Sequence, residues 1–448
     1  ANWTNVAPAA APKNIMWNSV EVDRRAKGGL FLAGTSYKMG DYTPYLYHTA
    51  DYGKSWTRID AGIPRDHFTR VLRQYDRDPN ILFAGTESGL YVSFDAGKNW
   101  RAFQQNVPLV PITDIAIKDD NLILATQGRS FWIMDDLTVL AQQNEVAKNA
   151  SWHLYDPVDA WRMGGSSRES RTAGKNHPGG VNFHVWLNEE AVKDTTPWTL
   201  TVATSDGEEI RSWATDNKDN KLELKAGGQV VNWNLRYPEG TKVPGMVLWW
   251  AGAGGPMALP GDYTVTLSHG DVTQSRDFTV KADPRVKATS EDRQAQFDFM
   301  KEVQDKVSEA HQAIIDLRNV RDQIKEFQGR LPENASEKLR EAGKAIIDEL
   351  TEVEEALYQT KNRSRQDPLN YPIRLTNKLA HLNSLTGIGT YKPTAAAYAV
   401  KAEMTKAIDA ELARYRSVLN EEVPAYNKLI LEEGVRVIAV PKKEKDAR

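Results

Sequence analysis

Thr49-Ala-Asp51-Tyr-Gly53-Lys-Ser55-Trp56 and Ser93-Phe-Asp95-Ala-Gly97-Lys-Asn99-Trp100 align residue for residue, 44 positions apart. Self-similarity at such a period marks a repeat architecture. Upstream of the two copies stand matching apolar strands, Leu30-Phe-Leu-Ala-Gly-Thr35 and Ile81-Leu-Phe-Ala-Gly-Thr86. These strands are 51 rather than 44 positions apart, so the first copy carries a seven-residue insertion within Ser36 to Tyr45. A third, degenerate copy runs through Asn121-Leu-Ile-Leu-Ala-Thr126 and Ser130-Phe-Trp-Ile-Met-Asp-Asp136, with the turn motif lost.

The repeated residues have a mechanical meaning. A carboxylate at Asp51 or Asp95 can accept backbone N–H groups across a hairpin turn. Gly53 and Gly97 supply the positive φ such a turn requires, and Trp56 and Trp100 pack between strands. All six read as structural. No second carboxylate stands at ligand spacing, so no metal site is expected there. A unit of about 40 to 50 residues with three or four strands reads as one blade of a β-propeller. Residues 1–145 supply about three blades, whereas a propeller closes with at least about four. Unclosed blades expose sheet edges and apolar faces. The expectation is an incomplete propeller, finished by blades from the same precursor or from another polypeptide.

The pattern then changes twice. Residues 146–179 read as a linker, because Pro157 to Pro178 is rich in Gly, Ser and Arg. Its Gly164-Gly-Ser-Ser-Arg-Glu-Ser-Arg171 run lacks the spacing of a phosphate loop. Residues 180–284 alternate in short strands, from Val181–Leu187 through Trp198–Val202, Glu209–Trp213, Gln229–Leu235 and Tyr263–Leu267 to Arg276–Val280, which predicts a β-sandwich of immunoglobulin type. Trp186, Trp198, Trp213, Trp233 and Tyr263 are its expected core. Val247 to Pro256 reads as a strand whose adjacent Trp249 and Trp250 face opposite ways.

Residues 285–448 switch to a helical period and predict a four-helix, bundle-like domain with a short C-terminal extension. The first helix is capped at Ser290, carries a stripe from Phe297 and Met300 to Leu331, and ends at Pro332. The second opens at Ser336, the third spans about Leu375 to Leu385, and the fourth starts near Thr394 and is kinked or restarted by Pro424. Val435 to Val440 adds a strand or docks elsewhere, and Lys442 to Arg448 is a charged end.

Composition narrows the function classes. All 13 tryptophans lie between Trp3 and Trp250, consistent with different kinds of structure in series. The net charge of -3 gives no cationic surplus for nucleic acid. Mean hydropathy is -0.56 and no apolar run approaches the ~18 residues of a membrane span. The absence of cysteine excludes disulfides, thiolate metal sites and a cysteine nucleophile, and fits an oxidising compartment. Ala1-Asn-Trp-Thr4 shows no signal-peptide pattern, so a secreted, periplasmic or cell-surface location would require a signal outside this chain.

The repeat resembles the Asp-box, also called the BNR repeat. The order of Asp-box blades, sandwich and helical tail resembles the C-terminal half of large bacterial proteins described as sortilin-like or "glycosyl hydrolase" BNR-repeat proteins. The matching residues include Ala125 to Leu137, Asn232-Trp-Asn-Leu-Arg-Tyr237, Gly255 to Tyr263 and Asp283-Pro-Arg-Val286. The middle domain resembles the Ig-like domain of flagellar hook-capping proteins. The resemblance implies Asp-box turns on the outer rim and, in related sialidase and xyloglucanase propellers, catalysis by a tyrosine–carboxylate couple or two aspartates in a central cleft.

No such couple is elected by spacing. Asp41, Asp114, Asp135 and Asp136 are present without a pattern, Ser130 lacks a nucleophile elbow, and the eight histidines show no ligand motif. Two readings therefore stand. One is a binding or scaffolding propeller for a peptide, glycan or partner subunit, without a cofactor. The other is a glycoside hydrolase with carboxylates in a central cleft. Gln127 and Arg129 are the expected ligand contacts, with a salt bridge from Arg129 to Asp135 or Asp136 as the structural alternative.

Overall fold

The computed structural model describes residues 2–143, 149–163, 172, 174–331 and 335–435. Its N-terminal part is three consecutive antiparallel sheets. The first runs β1 (Met16–Val22), β2 (Leu30–Ser36), β3 (Asp41–Thr49), β4 (Thr57–Arg58), each strand paired to the next. The second repeats that order with β5 (Thr69–Gln74), β6 (Leu82–Thr86), β7 (Gly89–Ser93) and β8 (Arg101–Ala102). The third has β9 (Ile112–Lys118), β10 (Asn121–Thr126) and β11 (Phe131–Met134).

Strand alternation gives each sheet two apolar faces, and the sheets stack on them. Leu72, Leu82, Ala84 and Tyr91 of the second sheet share a core with Phe31, Ala33 and Leu46 of the first. Its opposite face, Val71, Phe83, Leu90 and Val92, packs on Ile112, Ile115, Leu122 and Leu124 of the third. Strands β1, β5 and β9 lie side by side along one margin. Face-to-face meanders with their first strands converging form the blade arrangement of a β-propeller. The end sheets keep an open side: Val20 and Val22 of β1, and Phe131 and Ile133 of β11, are exposed.

A short helix α1 (Thr138–Ala141) leads into a unit of two sheets. One sheet has the order β12 (Trp152–Leu154), β14 (Val181–Leu187), β17 (Gly227–Trp233). The other has β13 (Ala160–Arg162), β19 (Val272–Ala282), β18 (Gly261–His269), β15 (Trp198–Thr204), β16 (Glu209–Ala214). Helix α2 (Glu189–Lys193), capped by Asn188, joins β14 to β15. The sheets enclose one core of Phe183, Val185, Leu187, Leu200, Val202, Trp233, Tyr263 and Val265.

Three expectations need correction here. The Pro157 to Pro178 stretch contains β13, paired in parallel with β19, so it is not linker throughout; Gly164 to Arg171 lies outside the described residues. Trp186 is not core, because Val181, Phe183, Val185 and Leu187 point inward and the period of two sends Trp186 outward. Val247 to Pro256 is not a strand. It is irregular, and Trp250 has φ 51°, which a strand cannot hold.

The helical region holds α3 (Ser290–Gly329), α4 (Glu337–Leu357), α5 (Leu375–Thr386), α6 (Ala395–Ser417) and α7 (Val423–Glu432). The cap of α3 is Thr289, not Ser290: its hydroxyl accepts from Asp292 N–H while the Asp292 carboxylate accepts from Thr289 N–H, closing a capping box. Phe299 rather than Phe297 is fully buried. Ser336 and Thr394 cap α4 and α6. A π-helical turn, Val418–Glu422, bridges α6 to α7 with Pro424 just beyond it, which places the missing proline N–H where the ladder is already re-registered. Pro332, Lys442 to Arg448 and all but the first residue of Val435 to Val440 fall outside the described residues.

One buried carboxylate anchors the helices. Glu354 of α4, 2 % exposed, receives Arg318 at 2.7 Å and Arg321 at 2.6 Å from α3. Removing both arginines would leave a carboxylate with little water around it.

Candidate functional site

The two repeated turns have one geometry. Asp51 Oδ1 accepts from the Thr49 hydroxyl at 2.8 Å and from Ser55 N–H at 2.9 Å, and Oδ2 accepts from the Ser55 hydroxyl at 2.6 Å. Asp95 does the same with Ser93 at 2.8 Å, Asn99 N–H at 2.9 Å and the Asn99 amide at 2.8 Å. Tyr52 and Gly53 have φ 64° and 80°, Ala96 and Gly97 have 63° and 88°. A Cβ at Gly97 would come within 2.8 Å of Ile59, so both space and backbone select glycine. The Ser55 hydroxyl and N–H hold the Asp51 carboxyl down at about 2. Burial pushes the Asp95 carboxyl up, but the Asn99 amide and N–H outweigh it and the net direction is down.

The indoles differ. Trp100 is buried and donates to the Ile59 carbonyl at 2.5 Å, whereas Trp56 is half-buried and donates to the Val6 carbonyl at 2.7 Å. The carboxylates bond within their own turns and the indoles tie the turns to neighbouring backbone, which is a structural use of these residues.

Along the converging strands a polar line joins three blades. Arg73 of β5 donates Nη2 to Asp114 Oδ1 of β9 at 2.9 Å and Nη1 to the Ser19 hydroxyl of β1 at 2.7 Å. Its Nη1 lies 4.0 Å from Glu21 Oε2 of β1. A guanidinium thus occupies the space between the two carboxylates that the first strands bring together. Glycoside hydrolysis by a carboxylate pair needs the two groups to face one another across about 5 to 9 Å with room for the sugar and water between them. This trio bridges blades instead.

The other carboxylates expected from sequence are scattered. Asp41 accepts the Tyr45 hydroxyl at 2.6 Å; burial and that bond together push the Tyr45 phenol up to about 12. Asp136 accepts from the Thr138 hydroxyl and lies 3.0 Å from His184 Nε2 of β14. Burial pushes the Asp136 carboxyl up, yet His184 and Thr138 outweigh it. Asp135 is exposed. No ion pair joins Arg129 to Asp135 or Asp136; the partner of Asp136 is His184, from the next unit.

At the end of the blades opposite the Asp-box turns stand the β2–β3, β6–β7 and β10–β11 hairpins. Gln127 and Arg129 occupy the last of these, both exposed. Gln127 N–H donates to the Pro111 carbonyl at 3.0 Å, and Arg129 Nη1 donates to the Gly128 carbonyl at 2.8 Å. The first hairpin is enlarged by the insertion read from the repeat spacing. It brings Tyr37 onto Phe68, rings stacked at 5.0 Å, with Tyr42 at 6.0 Å from Phe68. Arg70, near the start of β5, lies over Phe68 at 5.2 Å and donates Nε to Glu87 of the second hairpin at 2.7 Å. His67 Nδ1 and the Tyr91 hydroxyl are 2.7 Å apart beside them.

Sequence reasoning missed Tyr37, Phe68, Arg70 and Glu87. The one available signal was the insertion itself, because extra residues in one copy of a repeat fall on loops at a binding face. Among the described residues, no group of three or more His, Asp or Glu side chains is placed to hold a metal.

No protein-family model matches the chain, and no curated protein matches its sequence. Solved structures do share features of it. An essential surface component of the type-IX secretion system of Porphyromonas gingivalis, PorZ, is 15 % identical over 59 % of this chain and 30 % of its own, with a TM-score of 0.23. The GH74 enzyme of Niastella koreensis is 12 % identical over 58 % of this chain and 38 % of its own, with a TM-score of 0.23. The Dos1 propeller is 9 % identical over 59 % of this chain and 61 % of its own, with a TM-score of 0.20. The chain spans less than two thirds of each of these, and at these scores its blade architecture rests on its own sheet topology.

Proposed function

We propose that this chain is the binding and scaffolding part of an extracytoplasmic β-propeller of the Asp-box kind. Asp51, Gly53, Trp56, Asp95, Gly97 and Trp100 brace its rim, and further blades from the same precursor or another polypeptide complete it. The two-sheet unit then serves as an Ig-like brace between blades and helices. The single observation that carries a binding role is the Arg73 bridge. Where a hydrolase would hold two carboxylates apart around a substrate, Glu21 and Asp114 are spanned by a guanidinium.

The ligand face is the hairpin end. The half-buried Tyr37 and the exposed Tyr42, seated on the buried Phe68, together with an Arg70–Glu87 pair and the exposed Gln127 and Arg129, offer aromatic edges with oriented polar groups, the composition of a site for a glycan or a peptide. The test is a glycan and peptide array probed with the intact protein, followed by hydrolysis assays on every hit. Binding without turnover, weakened roughly tenfold by Tyr37→Ala or Arg129→Ala, is the expected result. Hydrolysis abolished by Asp114→Asn would overturn the binding reading in favour of a glycoside hydrolase.

A further inference from the structure

Between β17 and β18 the chain leaves the two-sheet unit and lays Trp249 and Trp250 along α5. Asn377, buried, accepts from Trp249 N–H at 2.8 Å and donates to the Trp249 carbonyl at 2.9 Å. His381 Nδ1 lies 2.7 Å from the Trp250 carbonyl; since a carbonyl only accepts, this nitrogen carries the proton. The clamp fixes Trp250 at φ 51°, a region that bulky side chains rarely adopt. Its indole is left 74 % exposed. Backbone held in a sparsely populated region by over-determined contacts clusters at functional sites.

The helix beside it continues the same surface. Lys378, His381 and Leu385 follow at helical spacing on one stripe, Arg374 is the extended residue just before the helix, and Ile388 lies in the turn beyond. Arg374, Lys378 and Leu385 are exposed, and Ile388 is 80 % exposed. Tyr391, whose hydroxyl donates to the Leu385 carbonyl at 3.0 Å, closes the far end. The charge is one-sided. No carboxylate occurs between Glu239 and Asp262, nor between Asp367 and Glu403, in a chain that otherwise carries 60 of them.

We propose that this ridge docks on an anionic lipid surface. Trp250, Leu385 and Ile388 enter the boundary between headgroups and acyl chains, and Arg374 and Lys378 face the headgroup phosphates. The chemistry is complementary on both counts, since Trp is the residue of membrane–water interfaces and basic side chains are drawn to anionic leaflets. The shape agrees: the apolar side chains protrude from a turn and a helix end, whereas a small-molecule site is concave. No helix among the described residues is long and apolar enough to cross a membrane, so the contact is peripheral. The proposal is independent of any ligand of the blades.

Flotation of the intact protein with phosphatidylcholine vesicles, with and without an equal share of phosphatidylglycerol, tests it. The expected result is flotation with the anionic vesicles and roughly tenfold less with the neutral ones, with the preference lost in Lys378→Glu. Trp250→Ala and Ile388→Ser should each lower partitioning several-fold while the thermal unfolding curve stays in place, because both side chains are already in water. No flotation on either vesicle, or flotation that these variants leave unchanged, would overturn the proposal and leave a protein partner as the occupant of the ridge.

Discussion

The second and third sheets of the propeller part are built from the same repeat and differ in what covers them. In the second sheet every residue of β6 and β7 is buried, because the neighbours on both sides use both faces. In the third, Leu122 and Leu124 of β10 point into the shared core while Phe131 and Ile133 of β11 stand in water, Phe131 74 % exposed. The strands of the third sheet are no less apolar than those of the second. An apolar face left open in this way is the feature that the proposed further blade would cover, since monomeric proteins seldom leave such faces bare.

The sharpest way to break that comparison is to truncate one aromatic on each side of it. Phe83→Ala, in the core between the second and third sheets, should cost about 3 to 5 kcal/mol in urea unfolding. Phe131→Ala in the chain alone should change stability by no more than about 0.5 kcal/mol. Equal losses at the two positions would mean that the open face is already covered.

The two Asp-box turns allow a second, smaller contrast. Trp100→Phe strands the buried Ile59 carbonyl and should cost about 1 to 3 kcal/mol. Trp56→Phe, at a half-buried position whose acceptor water can reach, should cost less than half as much. Differential scanning calorimetry of the pair would show it, and an inverted order would refute the burial account.

A third test uses acid. The Asp51 carboxyl is held at about 2, below the ordinary unfolded value of about 3.9. A carboxylate whose folded pKa is depressed stabilises fully above its unfolded pKa, and that contribution fades as pH falls through the folded one. The stability gap between the parent and Asp51→Asn should therefore be constant above about pH 5 and shrink between about pH 4 and 2. A gap that grows on acidification would contradict the bonding at this turn. The smallest effect belongs to Arg129→Ala, which should leave unfolding unchanged within about 0.5 kcal/mol because the side chain is exposed and no carboxylate among the described residues holds it.

How much of this was legible in the sequence follows the reach of each interaction. The Asp-box turns close within eight residues, so donors, acceptor and positive-φ glycine could be named from the string. Helix starts at Ser336 and Thr394 were equally local. The cap fell one residue earlier than read, at Thr289, because Thr-x-x-Asp closes a capping box there. The blade-bridging cluster was not legible: Ser19, Glu21, Arg73 and Asp114 come from three strands and meet only once the sheets stack. The Tyr37, Phe68 and Arg70 cluster was half legible, as an insertion without known neighbours. Trp186 was misplaced because composition was followed where alternation should have decided.

In the assembled protein the proposed further blade would cover the outer face of β10 and β11. The chain has no cysteine, so Ile133→Cys gives a single thiol for maleimide labelling. The account predicts rapid labelling of this chain alone and strong protection in the protein isolated with its partner blades. Labelling at the same rate in both states would contradict it.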